Sequence, residues 1–524
     1  MKIEERELPI GLQSFVKIRR CNAVYVDKTD IVWRLAQRQG YFYLSRPRRF
    51  GKSLLVDTLA CYFEGKRELF EGLKIMELED EWAAYPVIHF DLSCGGDSAA
   101  ILTNYLDHVF KDYEKEYRIR KGKEDSLGLR FAKIIQKAVK KTGKQVVILI
   151  DEYDSPLQHS WKTPEHEEIK AVYRNVFSVL KTEDSNERFV FITGITKFTQ
   201  VSVFSVLNNL INISFEPEYV AICGITQQEV EDNFKPEIEA TAKENNWTTD
   251  ETLVQLKDFY DGYHFSARNM VDVYNPFSLL TSLCKRDIGF PWASTGATSM
   301  LPKFVENLDV KIRDYESFRI PKDILESSDV VGGPELFLFQ TGYLTIKSAD
   351  AEGYVIGIPN KDVRHALYHV VVPALTMIDT ATAFSTQQKL FGHMVSGEVD
   401  EAMQTLKSLV SDAPYGNKKL ASINMEERYR FIISSIFFSI GFNLVEVEHM
   451  TAKGRIDILV KTLHYIYIFE LKLKKEGGLA AAEHQIIDRG YAEPFLSDGR
   501  TVIPLALELD DDGKGILGWK KVDV

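Results

Sequence analysis

Four short apolar runs, Tyr41-Phe-Tyr-Leu44, Val87-Ile-His-Phe90, Val146-Val-Ile-Leu-Ile150 and Phe189-Val-Phe-Ile192, follow one another through residues 1–285. Each is separated from the next by enough chain for a crossover helix. Parallel strands cannot be joined by a tight hairpin, so this rhythm predicts a parallel sheet covered on both faces by helices. Over residues 286–410 the pattern loosens into helical segments around one predicted hairpin, Leu336–Ile346 with Tyr354–Ile358. A helical stretch over Asp400–Val410 and a turn at Pro414-Tyr-Gly-Asn417 then lead into a last unit, 411–524, that reads helix, strand, strand, helix, strand. At roughly 100–200 residues per domain, a chain of 524 residues predicts about three domains. The fold class is therefore α/β throughout, with a helical or winged-helix-like connector between two α/β units.

Charge limits what such a chain can bind. The 64 Lys and Arg against 76 Asp and Glu give a formal charge of -12, which excludes coating nucleic acid or membrane by bulk electrostatics; any polyanion site must be local. The five cysteines, Cys21, Cys61, Cys94, Cys223 and Cys284, show no paired metal-ligand spacing and no dense disulfide framework, as in a reducing cytoplasm. The N-terminal MKIEERELPIGLQ has no apolar core, and the longest apolar stretch, Phe431–Phe442, is broken by serines and falls short of the ~20 residues of a spanning helix, so no membrane partner is expected. Residues 111–144 carry 12 Lys and Arg against 5 Asp and Glu. They read as the solvated face of an amphipathic helix or, alternatively, as a surface for nucleic acid or a partner.

The first apolar run passes directly into Ser45-Arg-Pro-Arg-Arg-Phe-Gly-Lys-Ser53 and then into the helical pattern Leu54–Ala60. A phosphate chain needs backbone N–H donors at a helix N-terminus, a lysine for the outer phosphates and a hydroxyl for magnesium; Gly51, Lys52 and Ser53 supply that ending. Arg46 stands where the strict phosphate-loop pattern has glycine. The third run ends in Asp151-Glu152-Tyr153-Asp154. An acid at the C-terminal tip of a buried strand holds magnesium beside the phosphates, and the adjacent Glu152 is placed to orient and deprotonate an attacking water. The fourth run leads into Thr193-Gly-Ile-Thr-Lys197. Thr193 and Thr196 are candidates for sensing the γ-phosphate and Lys197 for stabilising its charge, the alternative being a simple Thr-Gly turn.

These segments, with Tyr25-Val-Asp-Lys-Thr29, Phe204-Ser-Val-Leu-Asn-Asn209, Tyr260-Asp-Gly-Tyr263 and Tyr274-Asn-Pro276, resemble the bacterial AAA-ATPase-like family over residues 5–285. In that family an arginine at the first loop position is typical. The resemblance implies an additional-strand P-loop ATPase that couples nucleotide state to an attached effector. It implies ATP and Mg2+ as cofactors, with Arg46, Arg48, Arg49, Phe50, Gly51, Lys52, Ser53, Asp151, Thr193 and Thr196 around the nucleotide. ATPases of this kind often complete their site with an arginine from a neighbour, which implies a homo-oligomer.

The C-terminal unit holds an independent set. Glu426–Gly441 reads as a helix stopped by Gly441, followed by strands Gly454-Arg-Ile-Asp-Ile-Leu-Val460 and Tyr465-Ile-Tyr-Ile-Phe-Glu-Leu-Lys472. Alternation puts Glu470 and Lys472 on one face and Phe469 and Leu471 on the other, with Asp457 on the neighbouring strand in reach of the same spot. Phosphodiester cleavage needs carboxylates for one or two metal ions and a cation near the water and scissile phosphate. Gln485 on the next helix and Glu427 on the preceding one complete the set. This half resembles the PD-(D/E)XK nuclease superfamily over about residues 415–515, the branch often fused to such an ATPase. By position the resemblance makes Asp457 and Glu470 metal ligands for Mg2+ or Mn2+, Lys472 the water or phosphate partner, Glu427 a supporting acid and Gln485 a strand–helix contact. Relatives often show Tyr-His where this chain has Tyr429-Arg430, and either Glu426 or Glu427 faces the site.

The expectation is an ATPase that gates a nuclease. DNA is preferred over RNA as the nucleic-acid partner by the superfamily alone, since no residue separates the two. The rivals are a signalling or scaffold ATPase whose nuclease-like domain binds without cleaving, and a purely structural nucleotide-binding protein.

Overall fold

The four apolar runs are strands β1 (Gly40–Ser45), β2 (Val87–Asp91), β3 (Val146–Asp151) and β4 (Glu187–Gly194), joined by a short β5 (Leu210–Asn212) in one five-stranded sheet of order β2-β3-β4-β1-β5. Every pairing in it is parallel. Strand β4 therefore lies between β1, which feeds the Gly51-Lys52-Ser53 turn, and β3, which ends in Asp151: the additional strand that the resemblance implies. The computed structural model describes residues 6–120, 122, 125–196, 210–292, 317–327, 334–376, 380–411, 424–442 and 444–523. Lys197, the segment 204–209 and the turn at 414–417 lie outside the described residues. The chain divides into two units, residues 1–291 with 315–360, and residues 292–314 with 361–524. The segment 286–410, expected as a connector, thus contributes 315–360 to the first unit and 361–410 to the second.

In the first unit, β3 is buried along its whole length, as a strand covered on both faces must be. The basic segment 111–144 takes in the end of the Ala99–Glu116 helix and the whole of the Leu127–Thr142 helix, the second capped by Ser126 and stopped by Gly143. Its Phe131, Ile134, Ile135 and Ala138 turn inward while Lys137, Lys140 and Lys141 are exposed. Arg130 is turned inward too, with ion pairs of 2.6 Å to both Glu114 and Asp107. An amphipathic helix docked on its neighbours explains this segment.

Beyond the sheet, strands β6 (Ile225–Thr226) and β7 (Val273–Tyr274) pair antiparallel, and β8 (Phe318–Ile320), β9 (Thr345–Ala349) and β10 (Tyr354–Gly357) form a small antiparallel sheet of order β8-β10-β9. The predicted hairpin exists as β9 and β10, but its first half needs correction. Pro334–Thr341 is a helix, ended by Gly342 at φ 88°. Leu336, Phe337 and Leu338 are all buried, and a short run apolar on every side carries no period to tell helix from strand.

The second unit is built on a mixed sheet of order β11-β12-β13-β14-β15: β11 (Leu444–Thr451), β12 (Gly454–Lys461), β13 (Tyr465–Leu473), β14 (Thr501–Leu509) and β15 (Ile516–Lys521). Only β13 and β14 run parallel, and the Gly478–Asp488 helix is their crossover. The expected order of helix, strand, strand, helix, strand is therefore extended by β11 and β15. Phe469, Leu471 and Leu473 pack with the Met425–Ile440 helix on one face, while Ile466 and Ile468 pack with Ala482 and Ile486 of the crossover helix on the other.

One buried acid in the first unit has no strong partner. Asp261 is 1% exposed, and the Lys257 Nζ stands 4.0 Å away. Burial pushes its carboxyl up to about 7, against the small opposing pull of the Gly262 N–H. A carboxyl raised above its unfolded value keeps a proton that the unfolded chain has lost, so its charging lowers stability as pH rises from about 4 to about 7, with no further change above. The thermal midpoint of Asp261→Asn relative to wild type should rise across that window and level off beyond it. A difference independent of pH would show that Asp261 does not titrate in this way.

Candidate functional sites

In the first unit the loop after β1 is held by its own side chains. Arg46 is 1% exposed: its guanidinium donates to the carbonyls of Ser45, Ser214 and Tyr219 at 2.8, 2.9 and 3.0 Å and lies 4.0 Å over the Phe265 ring. Phe50 is buried edge-on against Tyr263, with centroids 4.8 Å apart, and its carbonyl accepts the Gly224 N–H. Both residues therefore anchor the loop to the protein rather than face outward. Arg48 is half-buried, and Arg49 is exposed, 4.8 Å over Phe277. Arg49 at φ 68° and Gly51 at φ 90° turn the chain into the Lys52–Phe63 helix, whose first N–H groups open at the tip of β1.

Lys52 is almost wholly buried, with its Nζ donating to the Pro47 carbonyl at 3.2 Å and lying 3.5 Å from Glu152 Oε1. Ser53 donates its hydroxyl to Asp151, whose carboxyl is pushed up to about 6 by burial against the opposing pull of that hydroxyl and of Lys52. Glu152 sits at φ 49°, an uncommon conformation for a residue with a side chain, and its own N–H is taken by Asp151 Oδ1 at 2.9 Å. The structure thus brings Lys52, Ser53, Asp151 and Glu152 together at the ends of β1 and β3.

The β4 tip divides into two roles. Thr193 pairs with Leu44 of β1, and its hydroxyl is buried without a hydrogen-bond partner. Thr196 is locked away from it: Asp154 Oδ2 accepts both the Thr196 N–H and hydroxyl at 2.6 Å, and Gln158 donates to each of the two side chains. Gly194 makes room for this knot, since a Cβ there would lie 2.3 Å from Asp154 Oδ1. Asp154 was visible in the Asp151–Asp154 run, but its service as the buried cap of the β4 turn was not.

In the second unit the paired strands β12 and β13 part. Their ladder runs only from Lys461↔Ile466 to Ile458↔Phe469, and the next residues on the two sides are Asp457 and Glu470. Asp457 Oδ2 accepts the Leu471 N–H at 2.9 Å, a side chain standing in for the missing ladder bond. Ile456 and Ile458 would share a face in a regular strand, yet they belong to opposite hydrophobic clusters, so β12 is distorted at Asp457. Across from it on β11, Glu448 sits at φ 55°.

Glu470 is 1% exposed; its Oε1 accepts from Lys472 at 2.9 Å and its Oε2 has no partner. Burial, then the neighbouring Asp457, raise its carboxyl to about 8. Lys472 also reaches Glu426 Oε1 at 3.9 Å, while Glu427 is exposed. Of the two acids left open by the sequence, Glu426 faces the site. Gln485 donates to the Tyr491 hydroxyl at 3.0 Å, and that hydroxyl donates to the Arg455 carbonyl at 2.8 Å, which ties the crossover helix to β12. A residue the pattern did not assign, Arg430, pairs with Asp457 Oδ1 at 3.1 Å and Glu448 Oε1 at 3.0 Å. Its only sequence signal was its place after Tyr429.

Among the described residues no group of three or more His, Cys, Asp and Glu is arranged to hold a metal. Two carboxylates, one with a buried unpartnered oxygen, nevertheless fit magnesium, which keeps most of its waters and uses one or two protein oxygens. The Ser53 hydroxyl beside Asp151 fits the same ion at the phosphate loop.

A family model described as a predicted AAA-ATPase matches residues 9–204, and one described as the PD-(D/E)XK nuclease superfamily matches residues 424–519. An uncharacterized protein in the vnfD 5' region of Azotobacter chroococcum mcd 1 is 31% identical over 534 residues, 99% of this chain and 99% of that one. Among solved structures, Cdc6p from Pyrobaculum aerophilum is similar at TM-score 0.26 and 12% identity, over 67% of this chain and 95% of that one. The Aeropyrum pernix ORC2 protein in ADPNP–ADP complexes is similar at TM-score 0.31 and 9% identity, over 66% and 92%. TM-scores this low do not establish a common fold, and the assignment rests on the sheet order and the two family models. Among the described residues no helix is long and apolar enough to cross a membrane.

The anchoring of Arg46 is testable. Its removal leaves the Ser214 carbonyl without its donor and the Tyr219 carbonyl with only the Ile222 N–H at 3.3 Å, so Arg46→Ala should destabilise the nucleotide-free protein by about 2–4 kcal/mol. Arg46→Lys should recover little of this, because an ammonium cannot serve the same carbonyls and stack on Phe265. Unchanged thermal unfolding together with lost ATP affinity would instead make Arg46 a nucleotide ligand.

Proposed function

The chain belongs to the AAA-ATPase-like family that carries a C-terminal domain of the PD-(D/E)XK nuclease superfamily, and from that premise we propose that it binds and hydrolyses ATP and that nucleotide state gates metal-dependent cleavage of phosphodiester bonds in DNA. The reading is supported most directly by Glu470, a carboxylate kept out of water beside Asp457, with one oxygen on Lys472 and the other unpartnered. A domain that only bound nucleic acid would gain nothing from two carboxyl groups crowded into so dry a place.

At the nucleotide site the opening N–H groups of the Lys52–Phe63 helix receive the phosphates. Lys52 leaves Glu152 for the outer phosphates, and Ser53 and Asp151 are the residues that would hold magnesium. Glu152, released from Lys52, orients and deprotonates the attacking water. The unpartnered Thr193 hydroxyl is the polar group at the β4 tip closest in kind to a γ-phosphate sensor. At the second site Asp457 and Glu470 would hold magnesium or manganese, which when bound would polarise a phosphate oxygen and make the attacking water more acidic. Lys472 stabilises charge on the phosphate, and Glu426 keeps Lys472 in position. Gln485 and Tyr491 hold the crossover helix against β12. An oligomer with an arginine shared between copies, and a cytoplasmic setting, belong to the same reading; the five cysteines are unpaired.

The test is magnesium- and manganese-dependent cleavage of linear, circular and single-stranded DNA, with RNA alongside, in the presence and absence of ATP. Lys472→Ala should lower cleavage by about 10²–10⁴-fold while ATP turnover persists. Lys52→Ala should abolish ATP turnover and with it the effect of ATP on cleavage. If neither substitution changes either activity, the proposal is wrong at its centre. Cleavage indifferent to ATP in the wild type would leave two separate activities and remove the gate.

A further inference from the structure

Arg430 is a cation that already holds the proposed metal ligand Asp457. It lies on the first turns of the Met425–Ile440 helix, and its side chain is 13% exposed. Its guanidinium spans Asp457 Oδ1 and Glu448 Oε1. Both Asp457 oxygens are engaged in this state: Oδ1 is on Arg430 and Oδ2 on the Leu471 N–H. Glu448 is a shared partner as well, since Arg455 lies 3.1 Å from the same oxygen, and its backbone is held at φ 55°. A plain structural ion pair has no need of a strained residue opposite the point where β12 and β13 part.

We propose that Arg430 is a phosphate-binding residue of the nuclease site, parked on Asp457 until a divalent cation takes that carboxylate. The inference rests on the nuclease reading and adds to it the group that senses whether substrate is present. A divalent cation on Asp457 Oδ1 takes the anion that Arg430 now uses and sets two positive charges side by side. Glu448, already shared with Arg455, does not neutralise both. A phosphodiester oxygen between metal and guanidinium does, and a planar fork of donors suits it. Arg430 therefore opposes metal binding when nucleic acid is absent and favours it when nucleic acid is present. By linkage, metal must strengthen nucleic-acid binding to the same degree.

The experiment measures Mn2+ affinity of the full-length protein by calorimetry, counting only the binding lost in Asp457→Asn. Without nucleic acid, Arg430→Ala should bind Mn2+ about tenfold more tightly than wild type, as expected when one partly buried competing ion pair is removed. Arg430→Lys, which keeps the charge, should stay near wild type. In a Lys472→Ala background, to hold cleavage down, Mn2+ should tighten binding of a short linear DNA duplex, and adding Arg430→Ala should abolish that effect. A merely structural arginine would give the opposite first result, since its loss would loosen the site and weaken Mn2+ binding. Weaker or unchanged Mn2+ affinity in Arg430→Ala, or DNA binding still tightened by Mn2+ in its absence, overturns the proposal. If wild type and Asp457→Asn bind Mn2+ alike, the nuclease reading fails and the proposal falls with it.

Discussion

Both units of this chain are organised by the cost of keeping a carboxylate out of water. Asp151 and Glu470 lie at or near strand ends, almost fully buried, and burial is the first cause of the upward shift in each, to about 6 and about 8. A nearby cation offsets part of that desolvation. Each unit supplies a lysine: Lys52 at 3.5 Å from Glu152, the neighbour of Asp151, and Lys472 at 2.9 Å from Glu470. The sheets serve these pairs. Parallel strands β1 and β3 bring Lys52 to Asp151 across the inserted β4, and the parting of β12 from β13 leaves a gap into which Asp457 and Glu470 project.

Backbone strain marks the same places. Arg49, Glu152 and Glu448 are three of the nine described residues other than glycine with positive φ, and each borders a candidate site: the phosphate loop, Asp151 and the Asp457 strand. Such conformations cost of order 1–3 kcal/mol and persist where surrounding contacts over-determine them. The anchors are identifiable. Arg46 and Phe50 clamp the loop around Arg49, and Arg430 with Arg455 holds Glu448. Rigidity around the sites is thus supplied by residues that never meet a phosphate in this state.

Much of this was legible from the amino-acid order. Short apolar runs with helix-length gaps fall on β1 to β4 because a doubly covered parallel strand has no polar face to disguise it. Alternation alone gave Glu470 and Lys472 on one side and Phe469 and Leu471 on the other. What stayed hidden depended on tertiary partners. Leu336–Phe339 is apolar on every side, so its helix had no readable period. Arg46 looks like a phosphate ligand in the motif, and only the Ser214 and Tyr219 carbonyls, far along the chain, reveal it as an anchor. The choice of Glu426 over Glu427 turns on one helical step, about 100°. The Asp457 distortion breaks strict alternation, and no pattern of residue types records it.

The two sites share a further property that bears on how ligands act on them. In each, a cation is already occupied by an internal carboxylate: Lys52 by Glu152 and the Pro47 carbonyl, Arg430 by Asp457 and Glu448. On the proposed reading, a phosphate arriving at either site would take a cation from an internal carboxylate, and the freed carboxylate would be the group the chemistry needs: Glu152 toward water, Asp457 toward metal. An internal ion pair used this way keeps the acid from acting before its substrate arrives, and holds the cation ready at little cost in side-chain entropy. The net charge of -12 fits this arrangement. On that reading polyanions are not drawn by the surface at large but would be admitted where an internal acid gives up its cation.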